Sequence, residues 1–148
     1  MINVSGIVVE GHRIASGLNP TGKNGLNATV VKQMPFFIKS GIPRMNEMFL
    51  GTVNVNLEGK TFEIKKPEHK VICEWQKGVT ETFYFISAVL LHKGKNYEGY
   101  VYFPLPESGF QERNREVIEF LMPQIFNLFY GDEVSFTLDE SKLAVFDL

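Results

Sequence analysis

The sequence predicts a mainly β domain whose short strands close into a small barrel, with one main helix toward the C-terminus. Three observations predict it. Short runs rich in Val, Ile, Phe and Tyr recur between breaks containing Gly, Pro and Asn, the pattern of successive antiparallel strands. One stretch, Glu116 to Phe129, carries apolar residues at convincing helical spacing. Closing many short strands on themselves removes exposed edges, whereas a doubly wound parallel sheet needs strands alternating with several helices.

The 148 residues match one domain, 1–148, able to bury a single core. With 44% hydrophobic and 22% charged residues the composition is that of a folded chain, and thirteen Phe imply a bulky interior. Fifteen basic against seventeen acidic residues give a formal charge of −2, so no broad basic field is available for a nucleic-acid backbone. Any phosphate must then be held by local groups. The single cysteine, Cys73, permits neither an internal disulfide nor a cysteine-rich zinc site, which fits a reducing cytoplasm. Met1 to Glu10 lacks the basic start, apolar middle and cleavage site of a signal peptide. Apolar runs such as Ala88 to Leu91 fall far short of the roughly 20 residues that span a bilayer, so no membrane partner is expected.

In chain order, Ile2 to Val9 suits a first strand, with Val4, Ile7, Val8 and Val9 as its apolar residues. Ser16 to Asn27 is a long irregular loop, because Gly17, Gly22, Gly25, Pro20 and several Asn favour turns. Ala28 to Lys39 has the makings of a short helix with Phe36, Phe37 and Ile38 as its apolar face and Pro35 in its first turn. Met48 to Leu57 and Lys60 to Lys65, joined at Glu58 and Gly59, read as a hairpin. Val71 to Trp75, Glu81 to His92 and Tyr97 to Phe103 read as consecutive strands, with a glycine-centred turn at Lys93 to Lys95. Pro104 and Pro106 end the last of them. After a loop to about Asn114, the Glu116 to Phe129 pattern uses Val117, Phe120, Leu121, Ile125 and Leu128, with Pro123 as a break or kink. Gly131 and Asp132 form a turn into two final strands, Glu133 to Leu138 and Leu143 to Phe146.

Strand periodicity of two puts Thr52, Asn54 and Asn56 on one face and Val53, Val55 and Leu57 on the core face. The polar face is either a solvated strand surface or a set of neutral oxygens for a hard cation such as magnesium with substrate phosphates. Gly17, Gly22 and Lys23 approach a Walker A sequence, yet Asn24 stands where a Ser or Thr hydroxyl is needed. The loop is then either a plain surface loop or an anion nest of backbone amides aided by Lys23, Arg13 or Arg44. Glu116 and Glu119, three apart on the expected helix, share a side, and either one suits a general base toward a hydroxyl. His12, His69 and His92 lack metal-ligand spacing and read as surface or turn residues, while Cys73 beside Ile72 and Trp75 reads as core.

These residues resemble a known family, the archaeal CTP-dependent riboflavin kinases, over nearly the whole chain. Gly51 to Leu57 looks like that family's Gly-Thr-Leu-Asn segment. Gly99 to Pro104 followed by Glu116 to Pro123 is similar to its strand, loop and Glu-Ile-Ile-Glu-Ile-Ile-Ala-Pro stretch, and Tyr130 to Val134 resembles its Asp-Gly-Asp-Val turn. The resemblance implies a six-stranded cradle-loop barrel that transfers phosphate from a nucleoside triphosphate, CTP by family, to riboflavin, giving FMN. It implies magnesium on Thr52 and Asn54 and flavin contacts from Gln111 and Glu119; for such a transfer, backbone amides of Gly17, Gly22 and Gly25 with Lys23 are expected to cradle the phosphates and Glu119 to orient or deprotonate the hydroxyl. Two departures lie on the nucleotide side. The family's compact glycine loop is replaced by the longer Ser16 to Asn27, and Gln124 to Asn127 stands where the family has basic residues. They motivate the alternative of a flavin- or nucleotide-binding barrel that has lost the kinase nucleotide site.

Overall fold

A computed structural model of the chain describes residues 1–10, 28–105 and 116–148. Among the described residues the strands are β1 (Ile2–Val9), β2 (Val53–Asn56), β3 (Lys60–Ile64), β4 (His69–Gln76), β5 (Val79–His92), β6 (Lys95–Pro104), β7 (Val117–Leu121), β8 (Glu133–Leu138) and β9 (Leu143–Asp147). One α-helix, α1 (Ala28–Lys39), and a 3-10 turn at Met45–Glu47 lie between β1 and β2. The fold is mainly β, as expected.

Six strands close into a ring in the order β5, β6, β7, β2, β1, β8 and back to β5, every neighbouring pair antiparallel. The length of β5 makes the closure possible. One of its edges pairs with β6, while the other takes β4 near Val79–Phe85 and then β8 over Ala88–Leu91. All six ring strands send side chains into one core, among them Val4, Val55, Ile86, Val101, Phe120 and Phe136. A second core lies under α1, where Val30, Met34 and Phe37 meet Phe83, Phe85, Tyr100, Tyr102 and Leu121. The Phe37 ring packs edge-on to Phe83 and Phe85 at 5.0 and 4.9 Å between centroids.

Three local expectations are corrected. The stretch Glu116 to Phe129 is not a C-terminal helix: Val117–Leu121 is β7, in the middle of the ring. A strand covered on both faces is apolar on both, and here Ile118 and Phe120 enter the ring core while Leu121 joins the second one. The resulting apolar run imitates helical spacing. Ile125 and Leu128 do return to the ring core, from the irregular segment after Pro123.

The Met48 to Leu57 and Lys60 to Lys65 hairpin is also absent. Its turn forms, with Glu58 and Gly59 at φ 52° and 82°, but both edges of β2 are already taken by β1 and β7. β3 instead pairs with β9 in a small separate sheet. Finally, Pro35 is eight residues into α1 rather than in its first turn. The helix tolerates it because Pro35 and Val31, whose carbonyl loses a hydrogen bond, lie on the solvent side. The β5–β6 turn is as expected, with Lys93 and Gly94 at φ 47° and 80° between paired His92 and Lys95.

Candidate functional site

Val53, Val55 and Leu57 enter the ring core, so Thr52 and Asn54 face outward, yet they are not solvated. Thr52 is 1% exposed and Asn54 0%. The Asn54 Nδ2 donates to the Thr52 Oγ1 at 3.3 Å, and the Asn54 Oδ1 is buried with no hydrogen-bond partner. Exchanging the two ends of the amide only moves the vacancy from acceptor to donor. A buried polar atom left unpaired costs about 1–3 kcal/mol, so this carboxamide is an incomplete site rather than a surface residue. Asn56 is different: half-exposed, it accepts the Glu58 N–H on its Oδ1 at 2.7 Å and shapes the turn.

Glu119 pairs directly with Asn54 across the β2–β7 ladder, so the two side chains share the outward face. Glu119 is half-buried there. Glu116 precedes the strand and serves the turn instead, its carbonyl accepting the Leu57 N–H at 2.6 Å and its carboxylate the Gly59 N–H at 3.4 Å. The expectation that Glu116 and Glu119 share a side belongs to the helix that is not there. On a strand, residues three apart face opposite ways.

The row continues under α1. Tyr100 pairs with Leu121 and Val101 with Phe120, so the next step in that register sets Tyr102 beside Glu119. The Tyr102 hydroxyl donates to Gln33 Oε1 on α1 at 2.6 Å, in a buried contact. Tyr102, Glu119, Asn54 and Thr52 thus form a polar seam on the outer face of the ring, with Gln33 of α1 bonded at its Tyr102 end. The close approach of β6 and β7 that aligns it requires Gly99, where an added Cβ would run into the Leu121 carbonyl and the Met122 sulfur.

No family model matches the chain, and no curated protein matches it. The chemistry of the seam therefore rests on its own atoms. Its oxygen donors, the Thr52 hydroxyl, the Asn54 carboxamide and the Glu119 carboxylate, suit a hard cation better than a soft one. Among the described residues no group of three or more His, Cys, Asp or Glu stands ready to hold a metal. A cation at this seam would need ligand oxygens, such as phosphates, to complete its shell.

The other expected residues are placed as follows. Gly17, Gly22, Lys23, Gly25, Arg13, His12 and Gln111 lie outside the described residues. Arg44 does not offer a free cation, because its guanidinium pairs with Glu98 at 3.3 Å and Glu47 at 3.4 Å. It borders a shallow cleft of about 160 Å³ walled also by Met48, Ser87, Glu98 and Tyr100, and none of Thr52, Asn54 or Glu119 lines it. Cys73 is buried in the second core, where burial pushes its thiol up. His92 is a correction: it is buried, with Nε2 2.9 Å from Asp132 Oδ2.

Gln33 and Tyr102 were missed. The signal was a polar residue interrupting the stripe Val30, Gln33, Met34, Phe37, which is visible only once the helix is phased.

Proposed function

We propose that the chain is a riboflavin kinase-like phosphotransferase, moving the terminal phosphoryl group of a nucleoside triphosphate to the end hydroxyl of riboflavin's ribityl chain. The observation that supports it is the buried Asn54 carboxamide, bonded to Thr52, open at its other end and opposite Glu119. All three are among the residues that the resemblance to the CTP-dependent riboflavin kinases singles out. The closed six-stranded ring is compatible with the cradle-loop barrel of that family.

In this reading Thr52 and Asn54 would hold magnesium, which would neutralise phosphate charge. Glu119 receives the ribityl hydroxyl proton as that oxygen bonds to phosphorus and the bond to the nucleoside diphosphate breaks. Transfer of this kind asks the protein for positioning and electrostatics rather than covalent help. The ligands are small molecules, CTP or another triphosphate with riboflavin, in a cytoplasmic setting. Binding without turnover is the second reading, favoured by Gln124 to Asn127, which brings no basic residue to the nucleotide side.

The test is to incubate the pure protein with riboflavin, magnesium and each of the four nucleoside triphosphates and to look for FMN. FMN with one donor, abolished in Thr52→Ala with Asn54→Ala, is the expected result. Flavin binding without FMN from any donor moves the protein to the second reading.

A further inference from the structure

We propose that Phe126 and Phe129 form a stacking surface for the base of the nucleotide, a subsite that rests on the phosphotransfer reading above. The segment after β7 divides its apolar residues in two. Ile125 and Leu128 enter the ring core, whereas Phe126 is 71% exposed and Phe129 55%. The first pair anchors the segment, so the fold does not need the second. A phenyl ring left in water forgoes the burial that makes an aromatic side chain favourable.

The backbone that carries these rings is fixed. The Phe129 N–H donates to Asp132 Oδ2 at 3.0 Å, and the same oxygen lies 2.9 Å from Nε2 of the buried His92. Lys93 Nζ stands 5.5 Å from the centre of the Phe129 ring and donates to the Asn127 carbonyl at 3.0 Å. Between the two phenylalanines, Asn127 takes the left-handed turn at φ 60°. A surface set before its ligand arrives loses little freedom on binding.

Its place in the fold points to the ligand. Val9 of β1 pairs with Asn54, while on the other edge of β1 Val8 accepts the Gly131 N–H at 2.7 Å and donates to the Asp132 carbonyl at 2.8 Å. One strand therefore separates the unpaired Asn54 carboxamide from the end of the aromatic segment, two strand spacings or about 10 Å. Ribose and a phosphate chain separate a base from its outer phosphates by a comparable distance. Gln124 to Asn127 carries no charge, so this side offers flat apolar faces rather than ion pairs. Every base has a π-face to lay on them.

The experiment measures equilibrium binding to the full chain of CTP, ATP and inorganic tripolyphosphate, each with magnesium chloride, and of riboflavin. Wild type, Phe126→Ala and Phe126→Tyr are compared after their unfolding midpoints are shown to agree. Phe126→Ala is expected to weaken CTP and ATP about tenfold or more and to leave tripolyphosphate within about twofold, while Phe126→Tyr stays within about threefold of wild type for all three. Nucleotide affinity unchanged in Phe126→Ala, or tripolyphosphate weakened as much as the nucleotides, overturns the inference and leaves the phosphotransfer reading standing. A loss confined to riboflavin gives the surface to the flavin and overturns it likewise. A wild type that binds neither nucleotide, tripolyphosphate nor riboflavin removes both. If Phe126→Ala does not fold, Phe129→Ala takes its place.

Discussion

Asn54 is a residue whose burial makes sense only with a partner. Its carboxamide has one bond, to Thr52, and one end with nothing to meet. In the protein without ligand this is a standing cost, and replacing both partners by apolar groups of similar shape is neutral or stabilising in such cases. Thr52→Val with Asn54→Leu is therefore expected to match or exceed wild-type stability by up to about 1 kcal/mol in denaturant titration, while abolishing FMN formation. A loss of several kcal/mol would instead make the pair structural. The polar face of this strand was legible as residues 52, 54 and 56, but not its burial. Alternation says which side chains face together; it does not say whether the rest of the fold covers them.

At the scale of elements, β7 explains both what was legible and what was not. Strands with one apolar face, such as β1 and β8, were recognisable from alternation and turn residues. β7 was not, because a strand covered on both sides has no alternation to show. The same error hid the site: on a helix Glu119 has no fixed relation to Asn54, whereas on β7 it is Asn54's direct cross-strand neighbour. The β6–β7 seam also sets a tight steric limit at Gly99, where a methyl would meet the Leu121 carbonyl. Gly99→Ala should destabilise by about 1–3 kcal/mol. Because the shift falls on the strands carrying Tyr102 and Glu119, turnover should fall along with the unfolding midpoint, and an unchanged midpoint would argue against so tight an approach.

For the whole molecule, Asp132 ties several elements together. Its carboxylate accepts the Phe129 N–H at 3.0 Å and meets His92 Nε2 at 2.9 Å, while its carbonyl accepts the Val8 N–H at 2.8 Å. The Phe129 amide first, then His92 and Lys93, hold the carboxyl below the ordinary aspartate value of 3.8. A depressed folded value means that the stabilisation is fully present above the unfolded value and lost as pH falls through the folded one. Asp132→Asn should cost about 1–2 kcal/mol at neutral pH, and the gap to wild type should close below pH 3.8 as the wild-type carboxyl protonates. Denaturant midpoints of both proteins across that range check it; a gap independent of pH would assign the cost to geometry alone.

The closure of the ring also orders events in time. The β5–β6 hairpin is local, ten paired residues on each side of a two-residue turn, whereas β1 finds β8 only across most of the chain, Ile2 meeting Leu138. Local contacts form early and distant ones late, because a long loop must be closed before they give anything back. β2 lies between β1 and β7, so Asn54 and Glu119 face each other only when distant parts of the chain have found their partners. During synthesis the hairpin can exist long before the seam does, and the ability to bind at Asn54 should appear with the last and slowest phase of refolding.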